Sequence, residues 1–186
     1  MMPTMHFELH PGDVVLTAGS SVLARLIRWS EVHKANPQAR VNHAALCVGT
    51  PDLIVEAATV ARKTSLWRFH ADDGILIYRS LDLTADQKQV LVTVAETWIG
   101  RPYPVGHLLA YLIDNKVFGG RTVARWLLTL KPNGVCSRLV ASAFAALGLD
   151  FGVPEPDPDD MDDFCRTHPD KYQLVYSQRI PEVAGG

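Results

Sequence analysis

Residues 42–58 read NHAALCVGTPDLIVEAA, two apolar runs of strand length separated by Thr50, Pro51 and Asp52. Strand formers on either side of turn formers specify an antiparallel hairpin, because proline fixes its own φ and aspartate favours a turn over a ladder position. Two polar residues interrupt the apolar pattern: His43 opens the first arm and Glu56 ends the second. A carboxylate inside an apolar strand is costly to bury without a partner. Both residues fall at the open end of the hairpin. Any register that pairs odd with even positions sets the two side chains on one face, since side chains alternate along a strand. The sequence leaves that register open, so an edge-strand glutamate beside an exposed histidine stands as the alternative.

The rest of the chain supplies the partners of such a hairpin. DVVLTA (13–18), ILIYRS (75–80) and YQLVYSQRI (172–180) read as further strands. The stretch after Ser20 and Ser21 reads as a helix with Leu23, Leu26 and Ile27 on one face. Another begins at Thr84, a cap with Gln87 in the capping-box position; Val90, Val94 and Trp98 are in phase, and Gly100 ends it. Apolar helical stretches follow over 105–117 and 121–130. PEPDPDDMDDF lacks the alternation and central glycine of a calcium loop; it reads as a helix start, with Asp157 as cap and Pro158 at the first position. No repeat or linker divides the chain, and a single α+β domain over 1–186 is expected.

Composition narrows the function. With 47% apolar and 20% charged residues and a net charge of −2, the chain has no electrostatic footprint for nucleic acid. The N-terminal stretch lacks the basic and apolar regions of a signal peptide, and no run approaches the roughly 20 apolar residues of a membrane span. Cys47, Cys136 and Cys165 are odd in number and widely spaced, giving neither a disulfide framework nor a zinc-ligand spacing. A cytoplasmic protein is the expectation.

Cys136 follows the turn Asn133-Gly134 and opens a helix whose buried stripe is Leu139, Val140, Ala143, Phe144 and Leu147. Two readings stand. A free cysteine packs as a small hydrophobe, but at a helix N-terminus the unpaired N–H groups stabilise a thiolate. Cys47 in an apolar strand and Cys165 in an acidic helix are poor places for one. A thiolate nucleophile needs a base, and the base a group to orient it. Of the seven histidines, His6, His10, His33, His70 and His168 read as incidental, and His107 as a histidine of an apolar helix. His43 is left, with Glu56 near it.

These residues carry a resemblance. PGDVVL followed by NHAALCVGTPDLIVEAA is similar to the second half of an NlpC/P60 domain, the papain-like cysteine peptidases and amidases. GRPYPVG followed by VCSRLVASAFAALGLDF resembles the first half. The halves stand in swapped order, as in the permuted papain-like group that includes YaeF/YiiX-type proteins and, more distantly, lecithin:retinol acyltransferase-like enzymes. The resemblance covers roughly residues 11–58 and 84–151. It implies an antiparallel sheet packed on the helix that carries the nucleophile. It also implies Cys136 as nucleophile, His43 as base and Glu56 as orienting group, with no metal and no cofactor. Tyr103 matches a tyrosine that helps hold substrate or oxyanion, or else is an aromatic turn residue packed on the core. Val135, Arg138 and the long segment between Tyr103 and Cys136 depart from the pattern. The implied activity is hydrolysis of an amide in a small peptide, cell-wall peptide or aminoacyl amide. A lipid-directed acyl hydrolase or transferase, touching lipid through 105–130, and a binding module without turnover are the alternatives.

Overall fold

A computed structural model describes residues 7–19, 40–58, 60–102 and 135–180. Tyr103, the helices expected after Ser20 and over 105–130, and His6, His33 and His107 lie outside the described residues. The described residues form an α+β fold around a six-stranded antiparallel sheet. Its strands are β1 (Val14–Ala18), β2 (His43–Gly49), β3 (Leu53–Ala57), β4 (Ala61–Ser65), β5 (Gly74–Ser80) and β6 (Tyr172–Gln178), in the order β4-β3-β2-β1-β5-β6. The helices are α1 (Leu66–His70), α2 (Ala85–Glu96), α3 (Val135–Ala145) and α4 (Pro158–Thr167).

The central strands are largely apolar because both faces of the sheet are covered. Val14, Leu16, Leu46, Val55 and Leu76 face Leu91 and Ala95 of α2 and Leu139, Val140 and Phe144 of α3. The alternate residues Val15, Cys47, Ile54, Ile75 and Ile77 face Leu9 and Leu66, with Trp67 and Tyr176 packed over them. Period-two alternation thus divides one apolar run between two cores.

β4 and α1 were not anticipated. ARKTS has no strand-like run of apolar residues: Ala61 and Thr64 are buried while Arg62 and Lys63 are exposed, as suits the end of a sheet. α1 is capped by Ser65, whose hydroxyl accepts from the Arg68 N–H at 3.3 Å. α2 carries the expected capping box of Thr84 and Gln87. Its buried residues, however, are Leu91, Val92 and Ala95, and Val90 is 39% exposed. The helix stops at Glu96, and Gly100 lies in the following turn at φ +85°, where its N–H donates to Ala61 O. The aspartate-rich segment is a helix start, with Asp157 and Asp160 in a capping box and Pro158 at the first position.

Candidate functional site

The hairpin β2–β3 sets the geometry. Its register pairs Ala45 with Glu56, an odd with an even position. His43 lies two residues before Ala45 and therefore projects on the Glu56 face. Its Nε2 is 2.8 Å from Glu56 Oε2. β3 is an interior strand, paired with β4 as well as β2, so Glu56 is not at the sheet edge.

Glu56 is 1% exposed, and four N–H donors surround its carboxylate. Arg62, directly opposite across the β3–β4 pair, donates from Nε and Nη2 to Oε1 at 2.9 and 2.7 Å. His43 and His70 both place Nε2 against Oε2, at 2.8 and 2.9 Å. Burial alone would raise the Glu56 pKa. The bonds from His43, His70 and Arg62 outweigh it and hold the carboxyl well below its usual range. As an ionised carboxylate accepts and never donates, both histidine Nε2 atoms carry the proton.

Cys136 is the second residue of α3 and is 6% exposed. Its sulfur meets His43 at the start of β2. The His43 side chain is hydrogen-bonded to it, and the N–H groups of Ala44 and Ser137 also point at it. With Nε2 of His43 held by Glu56, the contact with sulfur falls to Nδ1. Burial opposes charge on both groups, yet each charge favours the other. The pair, with Glu56 behind His43, raises the His43 pKa to about 10 and lowers that of Cys136 below an ordinary thiol. The arrangement favours a thiolate beside an imidazolium. Burial instead pushes Cys47 up to about 12 and raises Cys165 as well, in line with their packing as small hydrophobes.

The structure therefore brings Cys136, His43 and Glu56 together. His70, read from sequence as an incidental loop histidine, is instead the last residue of α1 and a direct partner of Glu56. Its Nδ1 is 2.8 Å from Asp73 Oδ2. Sequence reasoning also missed Arg62, which is visible as a cross-strand partner of Glu56 once β4 is recognised. The spacing of His70 and Asp73, three residues apart at a helix end, was a local signal for that pair. His168 is elsewhere, stacked on Phe164 at 4.1 Å between ring centroids. His43, Glu56 and His70 each offer one donor atom, and the three atoms lie within 4.8 Å of one another.

No family model and no curated protein matches the chain. Among solved structures, the chain is similar to that described as "Crystal structure of metalloprotein yiiX from Escherichia coli O157:H7, DUF1105". The TM-score is 0.54 and the identity 17%, over 86% of this chain and 82% of that one. The two share a fold. No helix among the described residues is long and apolar enough to cross a membrane.

Proposed function

We propose that the chain is a cysteine hydrolase on a permuted papain-like, NlpC/P60-type plan, acting on an amide in a small peptide, cell-wall peptide or aminoacyl amide. One observation carries the reading: the Cys136 sulfur is hydrogen-bonded to His43, whose far nitrogen is held by the buried Glu56. The fold shared with yiiX, a protein of the type that the sequence resembles, supports it.

In this mechanism the Cys136 thiolate attacks the substrate carbonyl carbon, forming a C–S bond and a tetrahedral oxyanion. The backbone N–H of Cys136 contributes to stabilising that charge, and the resemblance gives Tyr103 a role in holding substrate or oxyanion. His43 gives its Nδ1 proton to the leaving amine as the C–N bond breaks, leaving a thioester. A water molecule then loses a proton to His43 and attacks the thioester, releasing the carboxylic acid and restoring the thiolate–imidazolium pair. Glu56 holds Nε2–H throughout, fixing the ring and stabilising its charged form. No step draws on a cofactor. Because yiiX is described as a metalloprotein, the donor set bears on a metal as well. Two imidazoles and a carboxylate suit a divalent transition ion, which would supply Lewis acidity; the thiol steps proceed without it.

The test is turnover by the purified chain on two panels, short peptides or aminoacyl amides and acyl esters or phospholipids, with Cys136→Ala as control. Release from the amide panel alone, abolished in Cys136→Ala, supports the proposal. Release from the ester panel alone moves the activity to lipids. Binding of substrate analogues by parent and variant alike, with turnover of neither panel, makes the fold a binding module.

A further inference from the structure

Two imidazoles are aimed at one carboxylate oxygen. His43 and His70 come from different elements, the first residue of β2 and the last of α1, and both present Nε2 to Glu56 Oε2. Their rings lie nearly parallel, 23° apart, with centroids 5.8 Å from each other. We propose that His43 Nε2, Glu56 Oε2 and His70 Nε2 form a binding site for one divalent transition-metal ion of the zinc class.

The spacing fits. Ligand atoms about 2.0–2.1 Å from a tetrahedral zinc lie roughly 3.3 Å apart. The two N···O separations, 2.8 and 2.9 Å, need to open by a fraction of an ångström, and the two Nε2 atoms, which lie within 4.8 Å of each other, close to the same spacing on binding. An ion at the point of convergence takes the place of the two Nε2 protons. The ion-loaded cluster therefore lacks the Nε2–H bond to Glu56 that the thiol mechanism uses, and the two are separate states of one cluster. Arg62 occupies Oε1, so Glu56 would bind through Oε2 alone. Behind His70, Asp73 accepts from Nδ1, the outer carboxylate that fixes the tautomer and raises the basicity of a metal-binding imidazole. The side chains of His43 and His70 are 19% and 12% exposed, so the donors are shielded yet reachable. Two nitrogens and one oxygen favour zinc, cobalt, nickel or copper over calcium or magnesium, which take oxygen ligands. This binding site does not rest on the hydrolase reading, and Cys136 is not among its ligands.

The experiment strips the purified 186-residue chain with a chelator, equilibrates it with Zn(II) or Co(II), and measures the bound metal by mass spectrometry. The visible spectrum of the cobalt form gives the ligand type. We expect one ion per chain, without a thiolate-to-cobalt charge-transfer band, and full retention in Cys136→Ser. His70→Gln should lose the ion, and Asp73→Asn should weaken binding about 10–100-fold. Circular dichroism checks folding; if His70→Gln unfolds, Asp73→Asn decides, since Asp73 is no ligand. Absence of stoichiometric metal on the parent overturns the proposal. So does unchanged affinity in either variant, or loss of the ion in Cys136→Ser. These readouts are independent of turnover, so failure here is distinct from failure of the hydrolase reading.

Discussion

Arg62 donates two hydrogen bonds to a single oxygen of Glu56, and so leaves the other oxygen to the histidines. That division of the carboxylate holds His43 in place. In Glu56→Gln the amide presents an NH₂ either to the guanidinium or to the two imidazoles, and both choices set donor against donor. A loss of about 2–4 kcal/mol in denaturant unfolding is expected. Turnover should fall by about 10²–10⁴-fold, less than in Cys136→Ala, since an orienting group acts through the base.

Thiol chemistry separates the three cysteines. Cys136 is lowered below an ordinary thiol by His43, whereas burial raises Cys47 and Cys165, which are 0% and 1% exposed. Iodoacetamide at neutral pH should label Cys136 first, at least tenfold faster than either other site in the native chain. Peptide mapping of a time course measures this. Equal rates at all three would show that Cys136 is an ordinary core residue.

A pH-dependent contribution to stability comes from Asp159, in the first turn of α4. Burial, and then the neighbouring Asp163, Asp157 and Asp162, push its carboxyl up to about 6, against the hydrogen bond it accepts from the Arg40 N–H at 2.8 Å. The unfolded chain keeps the ordinary value of ~3.9. The fold therefore prefers the protonated form, and this stabilisation is complete below about pH 4 and lost as pH rises through about 6. Asp159→Asn keeps an acceptor for Arg40 and removes the charge. It should match the parent at pH 4 and exceed it by about 1–2 kcal/mol at pH 7, as read from thermal melts at both values.

Phe144 anchors the helix that carries Cys136. It is fully buried, with Phe151 5.1 Å away edge-on and Tyr172 at 6.4 Å. Phe144→Ala should cost about 3–5 kcal/mol by opening a cavity under α3. Urea unfolding gives that number directly; a cost under 1 kcal/mol would mean that α3 docks by other contacts.

Much of this site was legible because strand alternation and the hairpin turn act locally. His43 and Glu56 stand out as polar residues in apolar runs, and the apolar stripe of α3 reveals Cys136 at its start. What escaped was the part that depends on tertiary pairing. β4 is polar because it lies at one end of the sheet order, so ARKTS shows no apolar period. Without β4 there was no reason to place Arg62 opposite Glu56, or to extend the chain through α1 to His70. Along α2 and the turn after it, the expected stripe holds at Val94 and Trp98, which pack partly buried against the core, but Val90 is exposed and the deepest positions are Leu91, Val92 and Ala95.

The short length of α1 has a dynamic consequence. Its five residues bury one side chain, Leu66, while β3 is hydrogen-bonded on both flanks. Amide hydrogens of β2 and β3 should exchange with solvent only when the whole fold opens, but those around His70 by brief local fraying. One imidazole can then leave the carboxylate and return within the lifetime of the native state while the other stays. The cluster is half scaffold and half latch.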